Sequence, residues 1–328
     1  MESAAGVKPV IFALSLDGEG GARDVSEGEI EKAIRSSRTV WIHLNRESDE
    51  CAAFLERNVP DLDSSLAGAL LSEDVRGRVT ERDEGLLVVL RGANFQESSN
   101  PEDMISIRCF LSESVVVTVR KRKFFAIDDI GYQLELGTGP KDSADFLVQL
   151  STSSLHRLEP VLEKLEDTID ETEDFVLERY RESSREKVLE IRKQLLHFHR
   201  YLVPQRDVFA MLNRSRVPWI HEEPRERLQE LYESFVRIVA DLDSWKDRAR
   251  LLQDEITNSL TEKLNEKLYL LAVLTAVFLP LSFMTGLFGV NVGGIPGAGE
   301  PWAFWAFAWL LLVLVALELV IFKTRRWF

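Results

Sequence analysis

Asn265, Leu268, Ala272, Thr275, Leu279, Ser282 and Gly286 recur at alternating steps of three and four through a segment that is otherwise apolar. That spacing puts them on one face of a helix. Two chemistries use a face of small and weakly polar residues. In a bilayer, small side chains let helices approach closely, and packing holds the helices together. Identical faces from several copies around an axis would instead enclose a narrow, weakly polar lumen through which an ion could pass. Leu268 and Leu279 would form apolar constrictions along such a lumen. Gly289, Val290 and Asn291 follow at once, opening a turn with Gly293, Gly294, Pro296, Gly297 and Gly299. Gly289 suits a backbone that must turn sharply there.

Other polar groups offer less. Glu318 is the one charge inside a long apolar run, and Glu300 is the one acid in the connecting loop. An ionisable group within a membrane span is a functional candidate, here for a proton-linked step. Glu318 lies near the end of its run and could also snorkel, or pair with Lys323 or Arg326. Glu159, Glu163, Glu166, Asp167, Asp170, Glu171, Glu173, Asp174 and Glu178 crowd one stretch that holds Lys164 alone as a cation. Such a run is a solvated helix face, or in a pore-forming oligomer an attractor of cations. His43, His156, His197, His199 and His221 are scattered, and Cys51 and Cys109 form no CxxC. Tight zinc sites use His and Cys in clusters, so no metal-ligand cluster is assigned. Two lone cysteines suit a reducing compartment.

The elements that must carry these residues divide into parts suited to different solvents. Residues 268–288 and 302–322 are long apolar runs, the first uncharged. Each meets the ~20 residues that a hydrocarbon core requires of a helix. Trp302, Phe304, Trp305 and Trp309 crowd one end of the second run, as an interfacial belt does. Lys263 and Lys267 precede the first run, Lys323, Arg325 and Arg326 follow the second, and loop 289–301 has no Lys or Arg. Basic residues favour the cytoplasmic side, so both termini are expected there and the short loop outside. No N-terminal signal sequence is read, and the large N-terminal part is expected to remain cytoplasmic. A net charge of −14 argues against nucleic acid as a partner. Attached to a pore, that charge would raise the local concentration of cations.

Residues 1–145 read as an α/β unit within an α+β chain. Strands are expected at 10–16, 39–45, 86–90, 104–111 and 115–120, with the second half of the sheet largely antiparallel. Ser26 and Glu29 read as a capping box opening a helix that ends near Ser37, and 47–58 as a helix stopped by Pro60. Residues 146–266 read as a helical stalk. Leu155, Leu158, Leu162, Leu165 and Ile169 mark one helix, and a second covers 183–213. After Pro218 and Pro224 comes the longest periodicity: Leu228, Leu231, Phe235, Ile238, Leu242, Trp245, Ala249, Leu252 and Ile256. This is the seam of a coiled coil or bundle. No Gly or Pro interrupts residues 225–279, so one helix is expected from about 225 to 288. The alternative is a hinge near Asn258 and Ser259. Residues 267–328 form the membrane part. No catalytic constellation, Walker A sequence or DKTG motif is found, so neither an enzyme nor an ATP-driven pump is expected, and no cofactor.

The run Phe278-Leu279-Pro280-Leu281-Ser282-Phe283-Met284-Thr285-Gly286-Leu287-Phe288-Gly289-Val290-Asn291 resembles the GxN signature of the CorA metal-ion transporter superfamily and the helix leading into it. The resemblance extends to the whole layout. In the magnesium and cobalt branch, Met usually stands where Val290 does. Val290, and the continuation Val292-Gly293-Gly294-Ile295-Pro296-Gly297, are similar to the ZntB zinc-transporter branch. The resemblance implies a funnel-shaped homopentamer in the inner membrane. Asn291 would form an outer selectivity ring, and Asn265, Leu268, Leu271, Thr275, Leu279 and Ser282 would face the pore. It also implies zinc uptake assisted by the proton gradient. A magnesium, cobalt or nickel channel of the same architecture is the alternative, and a membrane-anchored coiled-coil scaffold a third. A ring of neutral amides fits the task, because small divalent cations give up water reluctantly. Hydrogen bonds to a hydrated ion hold it weakly enough to let it leave.

Overall fold

The computed structural model of the chain describes residues 8–36, 38–59, 62–72, 77–82, 85–178, 182–290, 295, 297 and 299–324. It divides into two compact units, Met1–Gln253 and Asp254–Phe328.

The first unit is built on a seven-stranded sheet of order β2-β1-β3-β7-β6-β5-β4. Its strands are β1 (Val10–Leu16), β2 (Ala22–Asp24), β3 (Val40–Asn45), β4 (Arg78–Arg82), β5 (Gly85–Gly92), β6 (Ile105–Leu111) and β7 (Val115–Arg120). Every neighbouring pair is antiparallel except β3 and β7, which run parallel with Asn45 opposite Arg120. The expected strands are all present, and β4 through β7 form the antiparallel half. Alternation along the strands feeds two cores. Val115, Val117 and Val119 of β7 join Ile42, Leu44 and Phe110 under α1 (Ile30–Ile34), α2 (Cys51–Asn58) and α3 (Ser64–Leu71). Val116 of β7 and Leu86, Val88 and Leu90 of β5 join the opposite core. That core is covered by α4 (Phe125–Glu135), α5 (Ser143–Glu178), α6 (Glu182–Arg214) and the first part of α7 (Glu222–Phe288).

Ser26 and Glu29 are paired through their side chains instead of in the reciprocal side-chain-to-backbone bonds of a capping box. Glu29 accepts from the Ser26 hydroxyl, but the Ser26 side chain accepts no backbone N–H. The chain there forms a single 3-10 turn, Glu27–Glu29, before α1, which ends at Ile34; Ser37 lies outside the described residues. The helix expected over 47–58 starts only at Cys51, and Pro60 also lies outside the described residues.

The seam of α7 is buried as its periodicity predicts, with one shift: Val239 is buried and Ile238 only partly. The departure is local, because the seam resumes in its original register at Leu242, Trp245, Ala249, Leu252 and Ile256. Phe235 stacks on Phe209 of α6 at 4.9 Å between ring centres. Arg248 of α7 clasps Asp170 and Glu173 of α5. Part of the acidic run therefore holds the helical layer together, while Glu159, Glu163, Glu166, Asp167, Glu171 and Asp174 are exposed. Pro224 sits in the first turn of α7, where its missing N–H costs nothing. The helix runs unbroken through Asn258 and Ser259 to Phe288.

The second unit contains the end of α7 and α8 (Ala303–Thr324). Both helices are long and apolar enough to cross a membrane.

Candidate functional site

Two faces of α7 can be told apart within its apolar part. Val273, Ala276, Val277, Pro280, Leu281 and Met284 are half-buried, and they recur at steps of one and three. On α8 the half-buried or buried positions are Ala303, Phe307, Ala308, Leu311, Leu314, Val315, Glu318 and Phe322. Phe288 meets Phe307 at 5.0 Å between ring centres. These are the faces on which the hairpin packs.

Asn265, Leu268, Leu271, Thr275, Leu279 and Ser282 are all exposed. At ~100° per residue, Leu268, Leu271, Thr275, Leu279 and Ser282 point to roughly the opposite side of α7 from the half-buried face, with Asn265 about a quarter-turn from it. Leu268, Leu271 and Leu279 are 53%, 60% and 68% exposed, so the single chain leaves this face uncovered. Thr275 Oγ1 donates to the Leu271 carbonyl at 2.8 Å, which commits its proton to the helix and leaves oxygen lone pairs facing outward. Pro280 lies inside the helix and cannot donate to the carbonyl four residues back, which loosens the ladder at mid-span.

The helix stops at Phe288. The Gly289 N–H donates to Thr285 O at 2.9 Å, and a Cβ on Gly289 would sit 2.8 Å from the same oxygen. Glycine is thus required by the close approach of the last carbonyl. Val290 is 49% exposed. Asn291 lies outside the described residues, as do 292–294, 296 and 298. Glu300 is exposed; its N–H donates to Gly297 O at 3.0 Å, and its carbonyl accepts from the Ala303 N–H at 3.1 Å, starting α8.

Glu318 lies on the face of α8 that packs in the hairpin. Its Oε2 is secluded and has no hydrogen-bond partner among the described residues. Its ion pair with Lys323 is not formed among the described residues, and Arg326 lies outside them.

The remaining candidates sit elsewhere. His43 is buried in β3 with Nδ1 2.7 Å from Thr118 Oγ1. Burial and the nearby Arg120 cation hold its pKa down at about 3. His197 faces Asp103 at 3.6 Å and His199 faces Asp243 at 3.3 Å. Among the described residues no group of three or more His, Cys, Asp or Glu side chains could hold a metal ion.

One cluster escapes a linear reading. Arg46, Arg91, Arg108, Lys121 and Arg122 line a single pocket in the first unit. They come from separate strands and loops, and the only hint in the sequence is the short basic run after β7.

The family model of the CorA-like Mg2+ transporter protein matches residues 36–325. The zinc transport protein ZntB of Pectobacterium atrosepticum is 36% identical over 333 residues, spanning 100% of both chains. Among solved structures, the full-length CmaX protein matches with a TM-score of 0.83 at 31% identity, over 99% of this chain and 100% of that one. The CorA magnesium transporter from Methanocaldococcus jannaschii matches with a TM-score of 0.81 at 22% identity, over 98% and 100%, a likeness of fold. The soluble α/β unit, long helix and paired apolar C-terminal helices thus have counterparts along the whole chain, and the protein belongs to the CorA-like family of Mg2+ transporter proteins, with full-length similarity to its ZntB branch.

Proposed function

We propose that this chain carries divalent cations across the inner membrane, Zn2+ by preference, through a homopentameric pore lined by α7, with both termini in the cytoplasm. The observation that carries this reading is the uncovered face of α7. The intrachain hairpin uses the opposite face, so Asn265, Leu268, Leu271, Thr275, Leu279 and Ser282 are left for other copies or for the ion path. A spanning helix satisfies its backbone groups internally, so a water-containing path between copies of α7 would be walled by side chains. The leucines would give constrictions that stay dry until the helices part, and the threonine and serine oxygens give weak acceptors between them. Asn291, outside the described residues, would form the outer ring that the resemblance implies, where a hydrated ion meets neutral amides. Similarity to ZntB over the full length supports zinc.

Glu318 is proposed as the proton-linked group. Its place supports this: Oε2 is secluded on the face of α8 that packs in the hairpin, with no hydrogen-bond partner among the described residues, and an ionisable group inside a span is a functional candidate.

The second reading is a magnesium channel of the same build, favoured by the likeness of fold to the M. jannaschii magnesium transporter. Flux of radioactive zinc and magnesium into proteoliposomes, with and without a pH gradient, separates the two. Zinc flux that rises with an inward proton gradient supports the first reading. Magnesium flux indifferent to the gradient supports the second. Flux of neither ion would leave an anchored scaffold.

A further inference from the structure

Helices α4, α5 and the first turns of α7 frame a cavity of about 760 Å³ in the first unit. Helix α4 contributes Tyr132 and Gln133, α5 contributes Gln149 and Glu159, and α7 contributes Glu230. The floor is apolar: Val148, Leu155 and Leu231 are 2%, 6% and 5% exposed. Tyr132, Glu159 and Glu230 are exposed at the rim, so the cavity opens to solvent.

Both guanidinium groups in the lining are already engaged. Arg157 grips Asp129, with Nε 2.6 Å from Oδ2, and Ser153 donates to the same carboxylate. Arg227 pairs with Glu223 at 3.0 Å and stands 3.6 Å from Asp145. Glu159 and Glu230 have no ion-pair partner among the described residues. Of the Arg, Asp and Glu side chains in the lining, the two left unpaired are therefore both carboxylates. His156 lines the cavity as well, and an imidazole can donate or accept. Two further acceptors lack donors. The Oε1 atoms of Gln133 and Gln149 are secluded, with no hydrogen-bond partner among the described residues. An acceptor closed off without a donor costs free energy. The Gln149 amide is held by its own Nε2, which donates to Asp145 at 3.0 Å, so its oxygen stays unpaired. A turn about the last torsion of Gln133, which is soft, would present its oxygen to the cavity.

Carboxylates at the rim, acceptors without donors and an apolar floor match a ligand that carries cationic donors on an apolar stem. An aliphatic polyamine has that form. Its methylenes can cover apolar surface while its ammonium groups stay with the charges, as a lysine side chain does. The Tyr132 ring adds a face on which an ammonium can rest. The cavity is concave and of small-molecule size. A bare metal ion fits less well, because no group of three or more His, Cys, Asp or Glu among the described residues could hold one. We propose that this cavity binds a small aliphatic diamine or polyamine. The site shares no residue with the ion path and goes beyond the transport reading.

The test is calorimetric titration of the full-length protein in detergent with spermidine, putrescine and butylamine at physiological ionic strength. Spermidine and putrescine are expected to bind once per chain, at least ~10-fold tighter than butylamine, which has a single ammonium, and to weaken as salt rises. Glu159→Gln with Glu230→Gln removes two exposed charges and keeps the side-chain shapes, so the fold is retained; it should weaken spermidine ~10-fold or more. Glu171→Gln with Asp174→Asn makes the same change of charge at two exposed positions of α5 outside the lining, and should leave binding unchanged. No binding of spermidine or putrescine at millimolar concentration would overturn the proposal. So would a butylamine affinity equal to that of putrescine, a Glu159→Gln, Glu230→Gln variant that binds like the parent, or an equal loss in the second pair. Displacement of spermidine by an equal concentration of Mg2+ would likewise overturn it, by making the site one for any compact dication.

Discussion

His43 shows how a single buried side chain sets a pH limit on this fold. Its folded pKa of about 3 lies below the ordinary 6.5 because burial and Arg120 disfavour the cation. Between those values the unfolded chain binds a proton that the folded chain does not, so stability falls as pH drops from 6.5 towards 3. The slope is up to ~1.4 kcal/mol per pH unit. The depressed carboxyls Asp129 and Asp243, held by Arg157 and by Lys246, lose their contributions only at lower pH, below the ordinary 3.8. Unfolding of the purified protein by denaturant, followed from about pH 6.5 to about pH 4.5, should therefore show the His43 slope, and His43→Gln should flatten it. At the membrane end, Gly289→Ala would bring a methyl against Thr285 O and should reduce flux with little change in the stability of the α/β unit. Glu318→Gln should keep zinc flux in the absence of a gradient and lose its response to pH; an unchanged response would remove Glu318 from the mechanism. Asn291→Ala should lower flux or selectivity ~10-fold or more, the effect of losing a hydrogen bond to a charged group. The Asn291 reading came from a resemblance, and its position lies outside the described residues. The basic pocket was not legible at all. Arg91 and Arg108 are lone charges along the chain and Arg46 stands beside Glu47, and only the parallel pairing of β3 with β7 and the turn into β6 bring them together.

Among the elements, legibility followed periodicity. The α7 seam could be read because apolar residues repeat over many turns, and the one misplaced position, Ile238 for Val239, is a local departure between neighbouring apolar residues. Helix α3 was missed because eight residues give barely two turns of pattern; its start is fixed by Asp63, which accepts from the Leu66 N–H at 2.6 Å. The short β2 and β4 are likewise too brief for alternation to show, and they form only as edge strands on β1 and β5. The seam has a direct energetic test. Leu242 is fully buried and Leu251 is 68% exposed. Leu242→Ala should cost ~2–5 kcal/mol of unfolding free energy through the lost contacts and the cavity left behind. Leu251→Ala should stay within ~0.5 kcal/mol. Equal effects in denaturant unfolding would mean that α7 does not pack through the face described.

For the whole molecule, the consequence of the hairpin geometry is that the two faces of the apolar part of α7 differ in what covers them. One face of α7 is satisfied by its own partner helix, and the other presents Leu268, Leu271, Thr275, Leu279 and Ser282 with nothing of this chain against them among the described residues. If copies assemble about an axis, that face becomes the wall of a path that water-borne reagents can enter. The native thiols do not interfere: Cys51 and Cys109 are buried, and burial pushes the Cys51 thiol up to about 11 and Cys109 higher still, so neither forms the reactive thiolate. The decisive measurement is zinc flux in proteoliposomes carrying Thr275→Cys or Val277→Cys, before and after a charged, water-soluble thiol reagent. Block at Thr275→Cys with no effect at Val277→Cys is the predicted result; full flux after labelling at Thr275→Cys, or block only at Val277→Cys, would contradict a pore lined by this face of α7.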